Sequence, residues 1–190
     1  DHGLSEVLLL AEPMVKAARW LAERRPGVRF IVPLVNEQAR HRFETALSAA
    51  GNCPHMQLLS GDARRAMAAA DAVLLASGTA SLEALLLKRP MVITYRLGRL
   101  SWWIASIVVN VPFAGLPNLL AGKALVPELL QDDARPEKLG AALLQYLEDP
   151  KRTDVLKDEF RRIHNDLRNH ADERAADAVL EVMGVPLAGP

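Results

Sequence analysis

Residues 72–76, Ala-Val-Leu-Leu-Ala, form an unbroken apolar run closed by Ser77-Gly78. A strand with one face in water alternates apolar and polar side chains, whereas a run that is apolar at every position suits a parallel strand buried on both faces. Parallel strands require crossover connections, and the flanking sequence supplies them. Upstream, residues 28–34 and 56–59 have strand character, and a helix from the potential cap Asn36 to about residue 50 separates them. Residues 61–70 then read as the helix leading into the central run. Downstream, 80–88 reads as a helix stopped by Arg89-Pro90, and 91–95 returns to strand. Ahead of all these, Val7, Leu10, Met14, Ala17, Ala18 and Leu21 recur at helical spacing until Pro26-Gly27. This alternation predicts an α/β fold, a doubly wound parallel sheet with right-handed crossovers and helices on both faces. Past Pro117, helices are expected near 123–131, 136–148, 151–169 and 172–183, so that 123–190 forms a C-terminal helical extension.

The 190 residues, 50% hydrophobic and 24% charged, can bury one substantial core plus appended helices, which predicts one domain over 1–190. Lysine and arginine balance aspartate and glutamate at 23 each, so no overall field favours nucleic acid, and none is expected as a partner. The only cysteine, Cys53, excludes an intrachain disulfide and a thiolate zinc site, and suits a reducing, cytoplasmic setting. His2, His41, His55, His164 and His170 share no convergent spacing with carboxylates, and no Asp-x-Asp element occurs, so neither a metal nor another cofactor is expected. The chain opens on Asp1, and its first apolar run, 8–11, is too short for a signal core; we expect a piece of a longer protein. The longest apolar stretch, 100–120, contains Asn110, Pro112, Gly115 and Pro117, which a spanning helix of about 20 apolar residues rarely carries.

The chemistry concentrates where the central strand ends. Ala76-Ser77-Gly78-Thr79-Ala80-Ser81-Leu82-Glu83 is a small polar turn opening a helix at a strand's carboxyl end, the place where open α/β sheets bind ligands. Exposed amides at a helix N-terminus favour an anion, Gly78 lets it approach the backbone, and the Ser77 and Thr79 hydroxyls can donate to it. A diphosphate fits; an ordinary helix cap is the other reading. If Thr79 caps the helix, Glu83 falls one position too late for a capping box but shares Thr79's face one turn deeper. There it can accept both hydroxyls of a ribose, or simply face solvent in favourable alignment with the helix dipole.

Residues 76–83, together with Arg89-Pro90-Met91-Val92-Ile93-Thr94-Tyr95-Arg96 and Leu116-Pro117-Asn118-Leu119-Leu120-Ala121-Gly122, resemble the signature blocks of the lipid-A-disaccharide synthase family. Pro33-Leu34-Val35-Asn36 and the segment 169–179 are also similar, and the resemblance runs from about residue 5 to 182. It implies a glycosyltransferase of two Rossmann-like domains (GT-B type) with its active site in the cleft between them. This chain would be the UDP-sugar-binding second domain, without the N-terminal acceptor domain. The resemblance implies that Ser77, Gly78 and Thr79 hold the donor diphosphate, that Glu83 engages the ribose, and that Asn118 lines the cleft near the phosphates. On its own, Asn118 could equally be a loop asparagine bonded to its own backbone. The family carries a Pro-Gly-Ser-Arg loop just upstream of the first helix; its arginine has no counterpart in this chain. The general base is expected in the other half, so the catalytic residue is unknown and the fragment is expected to be inactive alone.

The implied reaction joins UDP-2,3-diacylglucosamine to 2,3-diacylglucosamine 1-phosphate, giving lipid A disaccharide and UDP without a metal. The alternatives are another UDP-sugar enzyme of this architecture, an epimerase or peptidoglycan-type transferase, and a non-catalytic nucleotide-binding module. Arg96, Arg99, Trp102 and Trp103 precede the apolar run 104–109, a grouping that suits either a membrane interface or a helix buried beside the sheet. Acylated substrates favour a peripheral location on the cytoplasmic face of the inner membrane. Leu156, Phe160, Ile163 and Leu167 form an apolar stripe expected to pack on this domain, on the other half, or on a second subunit in a homodimer.

Overall fold

The computed structural model describes residues 2–51, 53, 55–76, 78–96 and 113–182, with side chains described within 10–170. Strands and helices alternate as the apolar pattern predicts: α1 (His2–Arg24), β1 (Phe30–Leu34), α2 (Glu37–Ala50), β2 (Met56–Ser60), α3 (Ala63–Ala69), β3 (Val73–Leu75), α4 (Gly78–Leu86) and β4 (Met91–Tyr95). There follow α5 (Leu116–Ala121), β5 (Glu128–Leu130), a short 3-10 turn (Gln131–Asp133), α6 (Pro136–Glu148) and α7 (Pro150–Val182). Every strand pair is parallel. The ladders form two sets, β1-β2 and β3-β4-β5.

Helix α1 serves both sets. Ala11 and Val15 pack with Leu34, Phe43 and Ala50 beneath β1-β2, while Ala17 and Leu21 enter the larger core around Leu75, Leu85, Met91 and Ile93. Strand β4 is central: Met91, Val92, Ile93 and Thr94 are all buried, and the Thr94 hydroxyl donates to the Leu129 carbonyl at 2.9 Å, as a buried polar group must.

Helix boundaries follow from local chemistry. Asn36 caps α2, its side-chain oxygen accepting from the Ala39 amide at 2.8 Å. Helix α4 ends in a Schellman arrangement: the Arg89 amide donates to Ala84 O and the Lys88 amide to Leu85 O, with Lys88 at φ 56. Pro90 then prevents continuation.

Two expectations are corrected. The helix anticipated over 123–131 is replaced by β5 and the 3-10 turn, and β5 pairs with β4 in the register Ile93↔Glu128. Pro127 explains the change, because it would break a helix there and it sits where the chain enters the strand. The two C-terminal helices are one, α7, since no glycine or proline separates them. The stripe on α7 packs on this chain's own core: Leu156, Phe160 and Ile163 are buried there, with Leu167 partly so. Cys53 is buried in the connection between α2 and β2, and burial pushes its thiol above the ordinary value.

Candidate functional site

The parallel register aligns Leu75, Ile93 and Glu128 in one row across β3, β4 and β5. Leu75 ends β3, so the chain leaves this row directly for the N-terminus of α4. Helix α5 begins above the same row and packs against α4. Two helix starts therefore lie together at the carboxyl end of β3, and they are built very differently.

At the first, α4 begins at Gly78, so Thr79 lies inside the first turn rather than capping it, and Ser77 falls outside the described residues. A side chain added at Gly78 would meet nothing within 4 Å. Thr79 and Glu83, one turn apart, are both exposed and share a face. The opposite face is anchored: Ser81 is fully buried and its hydroxyl donates to Gly78 O at 2.6 Å, with Ala84 and Leu85 buried behind it. The turn thus presents backbone and small polar groups outward on a helix held from below.

At the second, Asn118 is 1% exposed and every hydrogen-bonding position of its amide is used. Its Oδ1 accepts from the Leu125 and Val126 amides, both at 2.8 Å. Its Nδ2 donates to Val126 O at 2.9 Å and to Glu128 Oε1 at 2.7 Å. Asn118 therefore bonds the chain seven to ten residues ahead, not its own neighbours. Glu128 in turn accepts from the Gly115 amide at 2.9 Å and, through Oε2, from the Ala114 amide at 2.8 Å. Its carboxylate occupies the start of α5, where the helix dipole favours a negative charge. Gly115 is required by closeness: a Cβ there would lie 2.3 Å from Ile93 Cδ1 and 3.0 Å from Glu128 Oε1.

Gly78, Thr79, Glu83 and Asn118 thus belong to two packed helices at one sheet edge, Thr79 and Glu83 exposed, Gly78 half-buried with open space above it, and Asn118 turned inward. Glu128 and Gly115 were not singled out from sequence, and Pro127 was the signal that could have placed Glu128 at a strand start. Gly61-Asp62 follows β2, with both residues at positive φ and Gly61 N donating to Leu34 O at 2.8 Å. Trp102 and Trp103 lie outside the described residues. A groove lined by Lys123, Leu125, Tyr146, Arg152, Val155, Leu156 and Glu159 shares no residue with the α4 turn. Beside it, Arg162 and then Lys123 hold the Glu159 carboxyl down to about 2, and burial pushes the Tyr146 hydroxyl up to about 12. Among the described residues no cluster of His, Cys, Asp and Glu is placed to hold a metal ion, and no helix is long and apolar enough to cross a membrane.

Parallel strands joined by helices, with an open glycine turn at a strand's carboxyl end, define a Rossmann-like α/β domain. The lipid-A-disaccharide synthetase family matches residues 4–182. The chain is 50% identical over 177 residues to the lipid-A-disaccharide synthase of Methylobacillus flagellatus, covering 93% of this chain and 47% of that protein. It is 46% identical over 178 residues to the enzymes of the same name from Serratia proteamaculans and Hahella chejuensis, covering 94% of this chain and 47% and 45% of theirs. The chain belongs to the lipid-A-disaccharide synthetase family. It spans about half the length of the curated relatives it matches.

Proposed function

We propose that this chain is the nucleotide-sugar-binding half of a glycosyltransferase that joins UDP-2,3-diacylglucosamine to 2,3-diacylglucosamine 1-phosphate, releasing UDP. The observation that carries this reading is the strand-turn-helix of β3 and α4 within the family match, with open space above Gly78 and with Thr79 and Glu83 on one exposed face. In this reading the α4 amides and the hydroxyls of Ser77 and Thr79 take the diphosphate, and Glu83 takes the ribose one turn away. The 6-hydroxyl of the acceptor attacks C1 of the donor sugar with inversion, and the C1–O bond to the diphosphate breaks. The developing charge on UDP is stabilised by the helix N-terminus, without a cation, and the protein's contribution is mainly position and electrostatics. The group that removes the hydroxyl proton lies in the other half, which also binds the acceptor. Acylated substrates place the intact enzyme at the inner-membrane surface, and a homodimer is compatible with the family.

The test is an assay of the full-length protein with both glucosamine substrates, comparing the diacylated donor with UDP-N-acetylglucosamine. Disaccharide and UDP should form in equal amounts from the acylated donor and much more slowly from the other. Equal use of both donors, or UDP release without disaccharide, would sink the reading.

A further inference from the structure

The Glu128 carboxylate faces three donors, the Ala114 and Gly115 amides and the Asn118 side chain, and so ties the start of α5 to β5. It stands in the row Leu75–Ile93–Glu128, directly across the sheet from the residue that launches the α4 turn. Gly115 closes the remaining space against Ile93, and α5 packs against α4. A loosened clamp frees Gly115 to move against Ile93, the residue paired with Leu75 at the end of β3, and shifts α5 where it packs on α4.

We infer that Glu128 is a positioning residue for the diphosphate end of the nucleotide site, a role that rests on the nucleotide-sugar reading above. Its charge is stabilised by three hydrogen bonds and by the α5 dipole. Its carboxylate takes the Ala114 and Gly115 amides ahead of α5, so neither is offered to phosphate. Asn118, with all its positions used internally, acts through the same clamp rather than by touching the ligand. Glu128→Gln replaces one acceptor with an amide that points hydrogens at donors, which forces the clamp to open while nearly preserving volume.

The experiment titrates the full-length enzyme and its Glu128→Gln variant with UDP and with uridine, after circular dichroism has established that both are folded. The expected result is a loss of about tenfold in UDP affinity, equivalent to about 1.4 kcal/mol, with uridine affinity unchanged. A purely structural role would instead lower the melting temperature and leave UDP affinity of the folded protein intact, or weaken both ligands alike; either result overturns the inference. If the unsubstituted chain binds uridine but shows no gain from the diphosphate, the assignment of the α4 turn falls, and the role of Glu128 with it. Should Glu128→Gln not fold, Glu128→Asp, which keeps the charge and withdraws it by one methylene, is put through the same titrations under the same criteria.

Discussion

The two helix starts at the carboxyl end of β3 show how neighbouring segments of similar composition come to be built differently, one closed by the chain itself and one open. Around α5, Gly115, Pro117 and Asn118 are buried, and a carboxylate from the chain itself, Glu128, takes the Ala114 and Gly115 amides that lead into the helix. At α4, Ser81 alone is fully buried in the first turn, and Gly78, Thr79 and Glu83 look outward. A glycine that excludes a methyl and one that leaves room for a ligand are indistinguishable by residue type. What separates them is whether the space above the Cα is occupied by protein, as at Gly115, or open, as at Gly78.

Substitutions at the two starts should therefore separate stability from binding. The largest effect is expected for Asn118→Ala, which removes four internal hydrogen bonds and strands the buried Val126 amide. The loss should be on the order of 3 kcal/mol, seen as a fall of roughly 6–12 °C in melting temperature. Gly115→Ala should cost about 1–3 kcal/mol, because the methyl can enter only if Ile93 leaves its packed position. Gly78→Ala is the contrasting case: stability within about 0.5 kcal/mol of the parent, but UDP affinity lowered about tenfold. If Gly78→Ala melts as low as Gly115→Ala, the contrast between the two starts is broken. Glu83→Gln should leave melting unchanged and weaken UDP by up to about tenfold, one charge-assisted bond to ribose; titration at constant pH decides it.

The smallest effect concerns the anchor beside α5, where Glu159 bonds Arg162 and Lys123. Its carboxyl titrates near 2 in the fold against 4.5 ordinarily, so its contribution is present above about 4.5 and disappears as pH falls towards 2. Glu159→Gln should melt slightly below the parent at pH 7, and the two curves should converge across that acid window; the margin is small because the pair is solvated. Curves that stay parallel would show that the ion pair does not hold this turn.

What the sequence made legible was whatever depends on a continuous local pattern. Residues 72–76 are apolar throughout and 91–95 are apolar or β-branched but for Tyr95, and both became parallel strands, while Asn36 capped its helix. Strand β5 was hidden because Glu-Leu-Leu is too short to show a period and its residues are good helix formers, leaving Pro127 as the lone contrary sign. That one misreading concealed the clamp as well. Glu128 bonds two backbone amides, which carry no sequence signature, and its third partner, Asn118, lies ten residues away across a turn. The α4 turn was readable because its chemistry is contiguous. The position of Thr79 was not, since the helix starts at Gly78, two residues earlier than a threonine cap allows.

Cys53 gives the protein a built-in clock. Its thiol is buried between α2 and β2, and burial keeps it protonated well above neutral pH, so a thiol-reactive dye meets neither an accessible nor a nucleophilic sulfur while the fold is closed. Labelling must wait for that connection to open. With no second cysteine to confuse the signal, the labelling rate at low dye counts openings of the α2–β2 connection, and its ceiling at high dye gives the opening rate itself.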